Sequence, residues 1–124
     1  MSPTQRTLAE CKRRGWPANV VEQRVPRVFI TRDLFNCIDI VAIADHAILG
    51  IQATSGTNHA ARRAKILAEP RALQWLQAGA RFEVWSWSKR GPRGKRKLWT
   101  LRVQEIRVED FAPAYMAPEQ RNGE

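Results

Sequence analysis

Hydrophobic and polar positions change period several times along the chain, and each change predicts an element. In residues 2–15 the apolar positions Leu8 and Cys11 lie three apart, on one stripe of a helix. Ser2 or Thr4 suits its N-cap and Pro3 its first turn. Lys12, Arg13 and Arg14 fall in the last turn, where cations favour the helix dipole, and Gly15 supplies the stop. Trp16 and Pro17 lead into a strand over 19–23, which Pro26 ends or marks as an edge. A short extended piece follows over 28–31. Residues 38–44 then read as a strongly apolar strand interrupted by one carboxylate, Asp39, and residues 47–55 as a second. Asp45 and His46 form the tight turn between them, so the pair predicts a central β-hairpin.

Gly56, Thr57 and Asn58 make a loop that ends in a natural N-cap, and helical spacing runs from about 59 to 68. Pro70 opens a second helical segment that ends near Gly79, with Leu73 and Leu76 inward. Residues 81–87 and 98–108 are rich in β-branched and aromatic residues. Between them Gly91, Pro92 and Gly94 force a turn, so the whole predicts a long β-hairpin. Strand alternation puts Trp85 and Trp87 on one face and Phe82 and Val84 on the other. The order is helix, strand, strand, strand, helix, strand, strand, without internal repeat. It predicts a mixed α/β (α+β) domain over 1–112, a central mixed sheet with a helix on each side. Residues 113–124, polar and with two prolines, predict a flexible C-terminal tail.

Composition sharpens this picture at one place. The chain has 124 residues, 44% hydrophobic and 27% charged, which fits one globular domain. Lys and Arg number 21 against 12 Asp and Glu, a formal charge of +9. Residues 88–97, SKRGPRGKRK, hold six basic residues and no acid: Lys89, Arg90, Arg93, Lys95, Arg96 and Lys97. Without them the charge falls from +9 to +3, so most of the excess sits at the hairpin tip. Nucleic acid is the partner that such a tip, flanked by Trp85, Trp87 and Trp99, fits first. A solvated loop and a nuclear-localisation-like signal are the competing readings of the run, and core packing is that of the tryptophans. Cys11 and Cys37 sit among apolar residues and read as small buried hydrophobes in a reducing compartment. With His46 and His59 they form no zinc-ligand spacing. No stretch approaches the ~18 apolar residues of a membrane span. The first residues lack a signal peptide's apolar core, so a cytoplasmic location is expected.

Asp39 carries the candidate chemistry. A carboxylate within an apolar strand needs a partner, a proton or a metal. If Asp45–His46 is the turn, Asp39 lies towards the later end of the second strand, near Gln52 and Thr54, which share a face. Either Asp39 caps its strand or bonds Arg32, or it is a metal ligand or catalytic acid.

An acid at the start of one strand, a polar pair two positions apart on the next, then a basic helix resembles the PD-(D/E)xK nuclease superfamily. The string D-L-F-N-C-I-D-I-V-A-I followed by G-I-Q-A-T-S is similar to small phage-type members, to archaeal Holliday-junction resolvases and to restriction enzymes. The resemblance runs from about Thr4 to Val108. It implies a restriction-endonuclease-like αβββαβ core and a metal-dependent DNA endonuclease using Mg²⁺ or Mn²⁺. Asp39 takes the place of the motif aspartate, Gln52 that of the second acid and Thr54 that of the lysine. The backbone carbonyl of Ala53 would face the metal. Glu10 matches the region where resolvase-like members place an additional glutamate, with Glu22 as a second choice, and Asp33 could add a ligand from its loop. Gln52 offers an amide oxygen but no charge, and Thr54 cannot replace an ammonium. Lys65, on the following helix, either reaches in or is solvated. Arg62 and Arg63 with the basic tip would hold phosphates. The implied partner is DNA, with branched or nicked forms fitting a backbone-reading tip, and a homodimer would cut two strands symmetrically. DNA binding without catalysis is the alternative reading.

Overall fold

The first helix, α1 (Pro3–Arg13), forms where its capping residues are. Ser2 Oγ accepts from the Gln5 amide and Gln5 Oε1 accepts from the Ser2 amide, which closes both ends of a capping box. Gly15, at φ 79°, turns the chain out of the helix. We describe residues 1–28 and 30–113 of a computed structural model. Most of the expected tail, 114–124, lies outside the described residues.

Five strands make the main sheet in the order β1-β4-β5-β6-β7. They are β1 (Ala18–Val20), β4 (Ile40–Ala44), β5 (Ala47–Ser55), β6 (Arg81–Arg90) and β7 (Leu98–Ile106). Every neighbouring pair is antiparallel except β5 and β6. Those two run parallel because α2 (His59–Leu67) and α3 (Pro70–Gln77) carry the chain back between them. The sheet is therefore mixed, with α1 on one face and α2 and α3 on the other, as the sequence order implies.

Alternation along the strands builds two apolar layers. Ile40, Ala42, Leu49, Ile51, Ala53 and Trp85 join Cys11 of α1. Phe82 and Val84 join Ile38, Ile66, Ala72 and Leu73 on the opposite side. Each such large apolar side chain contributes roughly 1.5–3 kcal/mol on burial. At Gly50 the second layer packs closely: an added Cβ would lie 3.2 Å from Ile38 and 3.3 Å from the Trp75 indole, so these side chains would have to give by a few tenths of an ångström. Both cysteines are buried and unbridged, and burial pushes the Cys37 thiol up to about 12.

The structure departs from the expected elements chiefly before Asp39. The strand expected over 19–23 breaks at Val21 and Glu22. Residues beyond it form a separate antiparallel ribbon of β2 (Gln23–Val25) and β3 (Ile30–Arg32). Pro26 and Arg27, the latter at φ 73°, make the turn that folds this ribbon on itself. Strand β4 starts at Ile40 rather than 38, because Phe35 and Asn36, at φ 52° and 61°, turn the chain sharply before it. At the hairpin, β6 continues to Arg90, so Lys89 and Arg90 belong to the stem. No helix among the described residues is long and apolar enough to cross a membrane.

Candidate active site

Asp39 is fixed by its backbone before its side chain does anything. Its amide donates to the Ile51 carbonyl (3.0 Å) and its carbonyl accepts from the Val21 amide (2.8 Å). The pairing of Ile40 with Ile51 puts Asp39 opposite Gln52, as the tight-turn argument requires. Asp39 Oδ2 accepts from Gln52 Nε2 at 2.6 Å and from the Ala53 amide at 3.0 Å. Arg32 is not among its partners, and Asp39 is 6% exposed. Gln52 and Thr54, both buried, alternate with Ile51 and Ala53 and so share the α2 side of the sheet. Gln52 Oε1 is buried and has no hydrogen-bond partner among the described residues. An orphaned buried oxygen of this kind asks for a ligand.

Two further acids converge on this point. Glu22 comes from the break between β1 and β2, and Asp33 follows β3 directly. One carboxylate oxygen of each, with one of Asp39, lie within 4.8 Å of one another. At that separation each pair of ionised carboxylates repels by roughly 3 kcal/mol in an effective dielectric of about 20. Burial, then the neighbouring Asp33 carboxyl and the charge of Glu22, push Asp39 up to about 8, against the pull of the Ala53 amide. Without a cation, Asp39 is therefore much harder to ionise than an ordinary aspartate. In a strand the N–H and C=O of one residue lie on the same edge, so the Ala53 carbonyl faces the edge from which its amide reaches Asp39. The donors are all oxygen: three carboxylates, the free Gln52 Oε1 and this carbonyl. That set fits a hard divalent cation such as Mg²⁺ or Mn²⁺.

The cluster opens into a cleft of about 460 Å³. Thr54, Arg62 and Lys65 line it, together with Asn36 and Asn58 and with Pro3 and Thr4 from the first turn of α1. Lys65 Nζ lies 3.6 Å from Asp33 Oδ2. Lys65 thus borders the cleft through its pair with Asp33, with 37% of its side chain still exposed. Arg62, three residues before it, shares that face of α2.

Several expected site residues are elsewhere. Glu10 is bound by Arg13 and Arg14 on α1, and the Arg13 hydrogen bond above all holds its carboxyl down at about 2. The helix turns its N-terminus to the cleft, and Glu10 lies about 10 Å further along the axis. Glu22, named second to it, takes the place in the acidic cluster. Arg63 is drawn away from any phosphate to Asp110, 3.6 Å distant. At the hairpin tip Arg93, Lys95 and Arg96 are exposed. Lys97, exposed as well, donates to the Gly91 carbonyl at 2.8 Å and closes the turn. Asn36 escaped the sequence reading, although an asparagine between Asp33 and Asp39 is a ready left-handed turn former. Comparison with protein-family models, curated proteins and solved structures finds no match.

Proposed function

We propose that the chain is a metal-dependent DNA endonuclease that hydrolyses phosphodiester bonds in this cleft. The observation that carries the reading is the meeting of three carboxylates with an unpartnered buried amide oxygen, beside a lysine and an arginine. Further support comes from the order of elements once the β2–β3 ribbon and β7 are set aside: a helix, an antiparallel meander of β1, β4 and β5, a helical crossover and a parallel strand. It agrees with the αβββαβ arrangement that the resemblance implies.

Asp39, Glu22, Asp33, Gln52 Oε1 and the Ala53 carbonyl would hold Mg²⁺ or Mn²⁺. A cation held there supplies neutralisation of the phosphate and acidification of water. The other tasks fall to this chain's own side chains. Lys65 provides the ammonium that position 54 lacks, placed to orient an attacking water and to offset charge on the phosphate. Arg62 offers a guanidinium to a phosphate oxygen. Gln52 and the Ala53 amide hold the Asp39 carboxylate in one rotamer, a fixed aim that Asp39 could not keep alone. Water attacks phosphorus, the P–O bond to one sugar breaks, and the leaving oxygen takes a proton. Cutting both strands of a duplex would take two copies of the chain.

Supercoiled plasmid with Mg²⁺ or Mn²⁺ tests the proposal. Nicking is expected in the wild type, absent in Asp39→Ala and reduced at least about tenfold in Lys65→Ala. Nicking that persists unchanged in Asp39→Ala would overturn it. A second reading, DNA binding without hydrolysis, is favoured by Thr54, which cannot act as an ammonium. It predicts retention of plasmid in a gel-shift without nicking in either metal.

A further inference from the structure

The hairpin's three tryptophans have different environments. Trp85 is fully buried, with Nε1 donating to Glu83 at 2.9 Å. Trp87 is half-buried, and its Nε1 donates to Thr7 Oγ1 at 3.0 Å, which ties the stem to α1. Trp99 keeps 44% of its surface exposed. It pairs with Lys89, one step inside the Arg90–Leu98 pair from which the basic tip springs. The Arg6 guanidinium carbon lies 3.8 Å from the centre of the Trp99 ring, and Lys89 Nζ lies 5.4 Å from it. Arg6 Nε is buried and has no hydrogen-bond partner among the described residues.

The position of this group relative to the cleft follows from register. Strands β5 and β6 are parallel with Ser55 opposite Trp87, so the stem from Ser88 onward projects past the cleft end of β5. Arg6 belongs to the helix whose first turn lines the cleft. Acidic cluster, helix start, Trp99 and basic tip thus occupy one end of the molecule.

An exposed indole topped by a guanidinium, next to a tip without an acid, matches an unstacked nucleotide. The Arg6 guanidinium already lies on one face of the ring, so the base stacks on the surface that this pair leaves open, and the cations take its phosphates. Bases stacked inside a duplex offer no such face. We propose that Trp99 and Arg6 form a stacking platform for an unpaired nucleotide, so that the preferred substrate is duplex DNA bearing a single-stranded branch. This rests on the reading of the cleft as a DNA site, and it assigns the branch to the hairpin and the duplex to the cleft.

Fluorescence anisotropy in EDTA, with a forked and a blunt duplex of equal phosphate number, tests the platform without cleavage. The wild type is expected to bind the fork at least about fivefold more tightly, as one stacked base implies. Trp99→Ala should lose that preference while blunt-duplex affinity stays within twofold. Trp99→Phe should retain most of it. Arg6→Gln, which leaves the indole in place, should lose part of it and serves as the independent variant if Trp99→Ala unfolds. Equal affinity of the wild type for both DNAs, or a preference unchanged in Trp99→Ala and Arg6→Gln, overturns the proposal. Fork preference without plasmid nicking sinks hydrolysis alone, whereas nicking without fork preference sinks the platform alone.

Discussion

Asp39 has its backbone amide and carbonyl both engaged and its carboxylate aimed at two donors, yet its environment disfavours the charge. Its ionisation in the folded state is pushed up to about 8, against about 3.9 for an unfolded aspartate. The folded state therefore binds the proton more tightly. The associated stability is full below about pH 4 and is lost as pH rises towards 8. Metal-free protein should have a lower unfolding midpoint at pH 8 than at pH 5, and Asp39→Asn should flatten that slope. Mn²⁺ should raise the midpoint at pH 8 in the wild type and not in Asp39→Asn. A wild-type and variant difference independent of pH would show that the acid cluster does not hold Asp39 protonated. The Asp39–Gln52 pair was legible in the sequence because one two-residue turn fixes it. Glu22 and Asp33 were harder to weigh. Their approach depends on the β2–β3 ribbon folding back, a non-local event that no periodicity reports.

At the level of elements, apolar alternation placed the sheet and its helices, and punctuation by Gly and Pro placed their ends. The errors fell where strands are short. Three-residue strands such as β2 and β3 carry too few positions to display a period. A second feature invisible to patterning is the buried network under α2. His59 Nδ1 lies 2.6 Å from Ser86 Oγ, and its Nε2 lies 2.7 Å from Gln104 Oε1. The Gln104 oxygen can only accept, so Nε2 donates to it, and the Ser86 hydroxyl, which can donate or accept, completes the pair at Nδ1. This network joins the first residue of α2 to both strands of the basic hairpin. His59→Ala leaves two polar groups unpaired and should cost about 1–3 kcal/mol in urea unfolding. Gly50→Val should cost about as much, because its Cβ alone crowds Ile38 and Trp75 and its two methyl groups must push them further aside. A loss below about 0.5 kcal/mol in His59→Ala would mean that water replaces the ring without penalty.

Charge is the property that spans the whole molecule, and it was the most legible one, since it needs no folding to be counted. What folding adds is which cations remain free. Arg63 is bound to Asp110, whereas Arg93, Lys95 and Arg96 are exposed at the end of the stem, as is Lys97, whose still-charged ammonium is held by the Gly91 carbonyl. Two populations of basic residue should therefore respond differently to salt. Each phosphate neutralised on duplex DNA contributes about 0.9 to the slope of log K against log salt. If the three free tip cations each meet one phosphate, replacing Arg93, Lys95 and Arg96 together by Ala should reduce that slope by about 2.7. Arg63→Ala should leave the slope unchanged, because its charge is already matched within the fold. Trp99→Ala should also leave it unchanged, since stacking releases no counterion. Titrations of a blunt duplex between about 50 and 200 mM salt measure all three. An unaltered slope in the triple variant would remove the hairpin tip from the binding surface and move the phosphate contacts to Arg62 and Lys65 at the cleft.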